Sequence, residues 1–343
     1  MYKFNPENWT KSLFDTIPRK FSFKARTEEE LSKWQCKFRE ELAKTLGLSV
    51  IEQRGLCNLN PQQEEEIDLG DYIREKWWIS TEPDFRLPFY LLRPKNITSP
   101  KPLVLAVHGH NETGKKLYAG IYHNEKERRE IAEGERDIAV QAVKGDCISI
   151  APDMRAFGEL KRSEDQKEGR GFCHTLQMHA QLFGRTLVGD RVWDVGRLID
   201  YAKSRPEIDE KRIAITGNSG GGTVSLFAAA VDQRIKVAVP SCYFCTFQHS
   251  IGSIHHCVCN YIPGILRLGE MYDVAGLIAP RPILIITGEK DPIFPYEGVC
   301  LAFEKLRRIY KIVNAEDRCE LYTGEGGHRY YKKGAWPFIH KWL

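Results

Sequence analysis

The chain has 343 residues, of which 42% are hydrophobic and 11% aromatic. A globular chain of this length buries roughly three quarters of its unfolded surface, so the composition supplies a sizeable core and excludes disorder. The 50 basic and 46 acidic residues leave a formal net charge of +4, which is too small and too evenly scattered for a polyanion-binding surface. We therefore expect no nucleic-acid or membrane partner, whereas a homo-oligomer is compatible with the sequence.

The sequence carries no pattern of export. No apolar run approaches the length of about 18 residues that a membrane span needs. The first residues, Met-Tyr-Lys-Phe-Asn-Pro, lack the basic-then-apolar order of a signal peptide. Its ten cysteines are irregularly spaced, unlike the disulfide framework of a small secreted domain. We predict a cytoplasmic protein with reduced, mostly buried thiols; a secreted chain trimmed of its leader is the alternative.

The N-terminal hundred residues contain a helix and a hairpin. Thr27 and Glu30 form a capping-box sequence, and apolar residues then recur at helical spacing up to Gly47. Residues 72–79 and 87–93 are rich in aromatic and aliphatic side chains on either side of Glu-Pro-Asp. This pattern predicts two antiparallel strands that lead into the main sheet.

From Leu103 onward, short apolar runs alternate with helical stretches. Such runs are typical of strands covered on both faces, and their alternation with helices predicts right-handed βαβ units in a mostly parallel sheet. The predicted fold class is therefore α/β, with helices flanking a central sheet. The predicted strands are 103–107, 147–151, 213–216, 235–239 and 283–287.

Long connections interrupt this alternation at 111–135, 158–188 and 241–278. In an open α/β sheet the connections at the carboxyl ends of the strands border the ligand crevice, so these three are candidate walls of a substrate site. We predict residues 1–100 as an N-terminal extension and 101–343 as the α/β core, together in one compact domain.

One segment has the sequence of a nucleophile elbow. Gly217-Asn218-Ser219-Gly220-Gly221 is a G-x-S-x-G motif between an apolar strand and an apolar helix. Glycines two residues before and after the serine let neighbouring backbone approach, and the helix that follows points its positive end at an oxyanion. The motif predicts Ser219 as a nucleophile.

A serine hydroxyl needs a neutral imidazole to remove its proton and a carboxylate to orient that imidazole. His328 follows a strand-like segment through a glycine-rich loop, and Asp291 follows the strand 283–287. We predict His328 as the general base and Asp291 as the orienting acid. His340, in the final helix, and Glu289 are the alternatives.

An acyl intermediate also requires two backbone donors. We predict the N–H groups of Gly220 and of His110, which lies in the loop after the first core strand. The His108 side chain in that loop is interpreted as a structural hydrogen-bonding group.

Taken in order, these motifs resemble the α/β hydrolases related to acetyl xylan esterases and dienelactone hydrolases, over residues 70–343. The resemblance implies an α/β-hydrolase fold and a serine esterase that cleaves small acyl esters, chiefly acetyl esters, of small molecules or carbohydrates without a metal or organic cofactor. The chain departs from the esterase pattern where Asp153-Met-Arg155 continues as Ala156-Phe-Gly158. The motifs that carry the resemblance are His108-Gly-His110, Ala151-Pro-Asp153-Met-Arg155, Gly217-Asn-Ser219-Gly-Gly221, Gly288-Glu-Lys-Asp291-Pro and Gly327-His328.

Cysteines and histidines between residues 242 and 259 offer a rival interpretation as a zinc site. They read Cys242-x-x-Cys245 and His255-His256-Cys257-x-Cys259, a spacing that is poor for a tetrahedral site. We therefore predict no metal and interpret these residues as buried thiols near the cleft.

Two other functions remain as alternatives. A serine peptidase of the prolyl-oligopeptidase type shares the elbow and the order of the triad, although about a hundred N-terminal residues cannot build its propeller domain. A non-catalytic binding protein of the same fold is the other.

Overall fold

The computed structural model describes residues 5–169 and 171–343. In these ranges nine strands form a single sheet. The strands are β1 (Gln62–Asp68), β2 (Tyr72–Glu82), β3 (Phe85–Pro94), β4 (Lys101–Ala106), β5 (Ile148–Pro152), β6 (Ile208–Asn218), β7 (Val237–Ser241), β8 (Ile283–Gly288) and β9 (Cys319–Gly324).

The helices of the first half precede the sheet or connect its early strands. Among the described residues none of the chain's helices is both long and apolar enough to cross a bilayer. The helices up to β6 are α1 (Pro6–Thr16), α2 (Glu28–Leu46), α3 (Leu48–Gln53), α4 (Lys115–Tyr118), α5 (Glu125–Glu133), α6 (Ile138–Lys144), α7 (Ser163–Lys167), α8 (His174–Leu182) and α9 (Leu187–Ala202).

The helices of the second half follow the strands that carry the site. They are α10 (Gly220–Val231), α11 (Ile265–Leu268), α12 (Met271–Gly276), α13 (Tyr296–Lys311) and α14 (Lys332–Trp342).

The sheet has the order β1-β2-β3-β5-β4-β6-β7-β8-β9. From β5 to β9 neighbouring strands are parallel, whereas β1, β2 and β3 add in antiparallel fashion. The strands β4 to β8 lie within a few residues of the predicted runs, apart from the earlier start of β6. The predicted α/β-hydrolase fold, with its mostly parallel sheet and N-terminal helix and hairpin, is thus confirmed.

Apolar side chains cover both faces of the sheet. One core contains the buried faces of α2, α9, α10, α12 and α13, and the other contains those of α6 and α14. The N-terminal segment shares the first core: Arg39 of α2 donates hydrogen bonds to the carbonyl oxygens of Ala230 (2.9 Å) and Leu277 (2.8 Å). The sheet and this core therefore continue across the predicted boundary at residue 100.

The capping of α2 differs in one detail from the expected reciprocal box. Thr27 Oγ1 accepts the Glu30 N–H (3.2 Å), as the sequence predicts. The Glu30 carboxylate, however, accepts the N–H of Arg26 (2.7 Å), one residue before the cap. The two hydrogen bonds still satisfy two backbone donors near the helix start, the N–H groups of Arg26 and Glu30.

A buried ion cluster supports the loop after β5. Arg155 donates both of its paired N–H groups to the Asp194 carboxylate of α9 (2.7 Å each) and a third to Glu82 (2.8 Å), and its guanidinium stacks on Phe85. Although burial opposes it, the guanidinium groups of Arg185 and Arg155 hold the pKa of Glu82 down at about 2. Arg155 therefore has a structural role, as bidentate pairing of this kind favours.

Candidate active site

Ser219 occupies the sharp turn between β6 and α10. Its backbone has φ 59° and ψ −119°, a conformation that costs free energy in a residue with a side chain. Two hydrogen bonds hold it there: the Ser219 N–H donates to Ser241 O of β7 (2.8 Å), and the Thr223 N–H donates to Ser219 O (2.9 Å). The turn thus aims a partly exposed hydroxyl away from the sheet.

The two elbow glycines pack against one carbonyl oxygen. A Cβ atom added at Gly217 or at Gly221 would overlap the oxygen of Val107, the residue that follows β4. Neither glycine has a positive φ, so it is close backbone approach and not backbone conformation that requires glycine at both positions. The sequence predicted this crowding, and the structure identifies the carbonyl responsible.

We expect Gly217→Ala to lower the free energy of unfolding by about 3 kcal/mol, because the added methyl group must displace the β4 backbone. Urea unfolding measures this change. Gly196→Ala is the matched control, since a Cβ there would lie 3.5 Å from its nearest neighbour, a guanidinium nitrogen of Arg234. This variant should be neutral or stabilising by up to about 1 kcal/mol in a helix. Equal stabilities of the two variants would contradict the packing argument.

His328 and Asp291 form a hydrogen-bonded pair on the loops after β9 and β8. The His328 Nδ1 atom lies 2.8 Å from Asp291 Oδ2. The other carboxylate oxygen accepts the N–H groups of Ile293 (2.9 Å) and Phe294 (3.2 Å), and the aspartate is 4% exposed. Because an ionised carboxylate only accepts, Nδ1 carries the proton and Nε2 is left as the basic nitrogen.

The two alternatives to this pair lie elsewhere. His340 is on α14, where its ring packs against Trp336 at a centroid distance of 5.9 Å. Glu289 is exposed, and its N–H donates to Gly324 O (2.8 Å). His328, in contrast, lines a cavity of about 140 Å³ together with Ser219.

The candidate oxyanion donors lie side by side. A Cβ at Gly220 would lie 3.6 Å from the His110 backbone nitrogen, so the β4 loop is packed against the start of α10. Within the described residues, neither N–H has a protein acceptor. Gly220 is also the first residue of a helix without a side-chain cap, where the helix dipole favours negative charge.

His108 has a structural position beneath this loop. Its Nε2 accepts the Met154 N–H (2.8 Å), so the ring proton is on Nδ1, which faces Gly109 O (2.7 Å). Burial lowers the pKa of His108 to about 4, against the opposing charge of Asp153. The residue is therefore neutral at physiological pH and joins β4 to the loop after β5, as interpreted from the sequence.

This buried histidine predicts a pH dependence of stability. Between about pH 6.5 and pH 4 the unfolded chain binds a proton at His108 that the folded chain does not, so the stabilisation is complete above pH 6.5 and is lost as the pH falls. From pH 7 to pH 4.5 we expect His108 to contribute a loss of roughly 2–3 kcal/mol.

The non-titrating variant His108→Gln isolates that contribution, because its amide oxygen can still accept the Met154 N–H. Urea unfolding of both proteins at the two pH values measures the difference. His256, whose pKa burial also lowers to about 4, is present in both and cancels. An identical loss in the two proteins would contradict the prediction.

A larger cavity opens on the other side of Ser219. Its volume is about 410 Å³, within the range of small-ligand sites. All three predicted wall segments border the site, since 111–135 lines the smaller cavity and the other two line this one. The individual lining residues were not predicted, because loop conformation leaves no periodic signal; they include Phe172, His174, Tyr243, His255, Asn260 and Phe294.

The cysteines and histidines of 242–259 do not assemble as one group. Cys242 Sγ lies 3.2 Å from Arg329 O and Cys245 Sγ 3.8 Å from Pro295 O, while His256 faces Ser250. Cys257 and Cys259 are adjacent, with their sulfurs 3.6 Å apart. The ligand set considered from the sequence is therefore not formed.

The fold and the elbow geometry define an α/β hydrolase. A family model described as the Abhydrolase family matches residues 10–330. The chain belongs to this family, and its predicted place in the α/β-hydrolase superfamily is confirmed.

Similar proteins agree with this assignment. "Putative hydrolase YtaP" of Bacillus subtilis (strain 168) is 28% identical over 269 residues, covering 75% of this chain and 84% of that protein. A crystal structure from Bacteroides fragilis, named as a putative acetyl xylan esterase, is 20% identical with a TM-score of 0.77 and covers 98% of this chain and 84% of its own. A glucuronoyl esterase from Solibacter usitatus is 13% identical with a TM-score of 0.64, covering 94% and 95%. The family and these relatives support a hydrolase, and the two structures show the shared fold.

Proposed function

We propose that the protein is a serine carboxylic ester hydrolase that cleaves small acyl esters, chiefly acetyl esters, of carbohydrates. One observation carries the proposal. Ser219, on a strained elbow, lines the same cavity as His328, whose Nδ1 is held by the buried carboxylate of Asp291 at 2.8 Å. These are the groups that nucleophilic catalysis by serine requires.

The reaction follows from these positions. His328 Nε2 takes the hydroxyl proton as Ser219 Oγ bonds to the ester carbon, and the carbonyl oxygen becomes an oxyanion at the N–H groups of His110 and Gly220. When the C–O bond to the alcohol breaks, His328 returns its proton to the leaving oxygen. Water then attacks the acyl-serine by the same route and releases the acid.

The larger cavity supports a sugar as the alcohol. It places aromatic rings, such as Tyr243 and Phe294, beside polar groups, such as Asn260 and His255, and sites of this size fix a small polar ligand with a few convergent groups. The names of the similar structures, a "putative acetyl xylan esterase" and a glucuronoyl esterase, also favour a carbohydrate ester.

Turnover of para-nitrophenyl acetate, compared with longer acyl esters and with acetylated xylo-oligosaccharides, tests the proposal. We expect preference for acetate and Ser219-dependent release of acetate from the sugar. Cleavage of a peptide amide without ester preference would favour the peptidase, and no Ser219-dependent turnover of any ester would favour a binding protein.

A second candidate, an ester of an acidic sugar, is favoured by charge beside the base. Arg136 and Arg329 line the smaller cavity together with Ser219 and His328, and guanidinium groups bind carboxylates. If this candidate is correct, Arg136→Ala will lower kcat/KM for methyl glucuronate roughly tenfold but leave para-nitrophenyl acetate unchanged. An equal loss of kcat/KM for both substrates would refute this second candidate function.

None of the ten cysteines, all of which lie among the described residues, is in a disulfide bond. Thiols persist in a reducing compartment, which supports the cytoplasm as the place of action. Cell fractionation tests this.

A further inference from the structure

Four potential metal ligands converge beside the oxyanion loop. His110, Cys173, Cys257 and Cys259 each offer one ligand atom, and these atoms all lie within 4.8 Å of one another. His110 Nε2 is 3.2 Å from Cys259 Sγ, which is 3.6 Å from Cys257 Sγ. The ligands come from three segments: the loop after β4, the residue before α8 and the 241–278 connection.

Two of the separations are close to those of a tetrahedral zinc site. With Zn–S near 2.3 Å and Zn–N near 2.0–2.1 Å, tetrahedral geometry requires about 3.8 Å between two sulfurs and about 3.6 Å between sulfur and nitrogen. The two distances given above are within about 0.4 Å of these values. The remaining separations among the four atoms are at most 4.8 Å, within about 1 Å of the tetrahedral values.

Charge around the cluster is suited to a dication held by thiolates. Three thiolates and one Zn²⁺ carry a net charge of −1, and Arg191 of α9 supplies the balancing positive charge. Its guanidinium is buried and donates to Cys173 Sγ (3.2 Å), while the same side chain donates to Arg155 O (2.7 Å). Hydrogen bonds of this kind orient metal ligands from the outer shell.

We propose that His110, Cys173, Cys257 and Cys259 bind a structural zinc ion. Three sulfurs and one imidazole nitrogen are the donors that zinc prefers, and four protein ligands close the coordination sphere, as in structural sites. The sequence predicted no metal because the spacing of the cysteines and histidines between 242 and 259 is poor for a tetrahedral site. The ligand in the loop after β4 precedes Cys259 by 149 residues, so no short spacing reveals it.

The ion would fix the walls of the cleft. It would connect the loop after β4 to two of the wall segments, 158–188 and 241–278. It would also hold the side chain of His110, whose backbone N–H is a proposed oxyanion donor. The effect on the oxyanion donor rests on the proposed function, whereas the binding of zinc does not depend on that function.

Metal analysis of the full-length protein tests the site. We expect about one zinc per chain after gel filtration, and less than a tenth of that in Cys257→Ser/Cys259→Ser. Cys245→Ser is the matched control: it is buried and belongs to the same connection, but its sulfur faces Pro295 O, so it should retain the metal. Equal zinc in the double variant and the control, or a Cys257–Cys259 disulfide in the purified protein, would overturn the proposal.

Cobalt substitution of the wild-type chain gives a readout that does not depend on a variant folding. Tetrahedral thiolate coordination predicts intense visible bands and three sulfurs with one nitrogen in X-ray absorption. Coordination by oxygen alone would overturn the proposal. If the protein binds zinc but has no esterase activity, the zinc site is supported and the proposed function is refuted. If it has esterase activity but binds no zinc, the function is supported and the zinc site is refuted.

Discussion

Ser219→Ala is expected to lower kcat for acetyl esters by roughly 10⁶-fold while the protein remains folded, because the variant has no atom that can form the acyl intermediate. The loss should equal that of the double variant with His328→Ala, since the two residues act as one unit. Steady-state turnover measures it, with the thermal midpoint as the check of folding.

Ser225→Ala is the matched control for this variant. It lies on the same helix, where its hydroxyl donates only to Gly221 O (2.8 Å), and should keep turnover within about twofold. A fluorophosphonate should add its mass to Ser219 in the wild type and in Ser225→Ala. It should not label Ser219→Ala. Labelling of another residue, or activity retained in Ser219→Ala, would refute the assignment of the nucleophile.

Asp291→Asn should lower kcat by roughly 10⁴-fold with little change in stability. An amide can donate to His328 Nδ1, so the proton moves to Nε2 and the base faces Ser219 in the wrong tautomer. The backbone N–H groups of Ile293 and Phe294 can still donate to the amide oxygen, which preserves the loop. Measurement of kcat for Asp291→Asn and the wild type over a range of pH gives both the size of the loss and its dependence on pH.

Glu289→Gln separates this role from that of the neighbouring carboxylate. Glu289 lies two residues away on the same loop but is exposed, and we expect its variant to stay within about twofold of the wild type. If Glu289→Gln were the more damaging of the two, the acid would have to be reassigned.

The parallel strands could be predicted because burial on both faces leaves continuous apolar runs. The elbow could be predicted for a related reason: the Val107 carbonyl leaves space only for hydrogen at Gly217 and Gly221, and that constraint appears in the sequence as a motif. Asp291 and His328 follow strands whose ends meet at one edge.

Other elements leave no such trace. Strand β1 consists of Gln, Glu, Ile and Asp and is almost wholly exposed, so it has neither alternation nor an apolar run, and it forms by pairing with β2. The cluster around Cys259 was missed for a different reason. Its partners His110 and Cys173 are remote in sequence, and only the packing of three loops brings them together.

Strand β1 also has a consequence for contacts between copies of this chain. It is one of the two outermost strands of the sheet, and an outermost strand presents unpaired backbone groups to any other strand in solution. Here three consecutive glutamates, Glu64 to Glu66, lie on that strand; Glu64 pairs with Lys76 of β2 (2.8 Å) and Glu66 with Arg93 of β3 (3.6 Å). A second copy that paired with this strand would bring its own glutamates close to these three, and the like charges would oppose growth of the sheet at this edge.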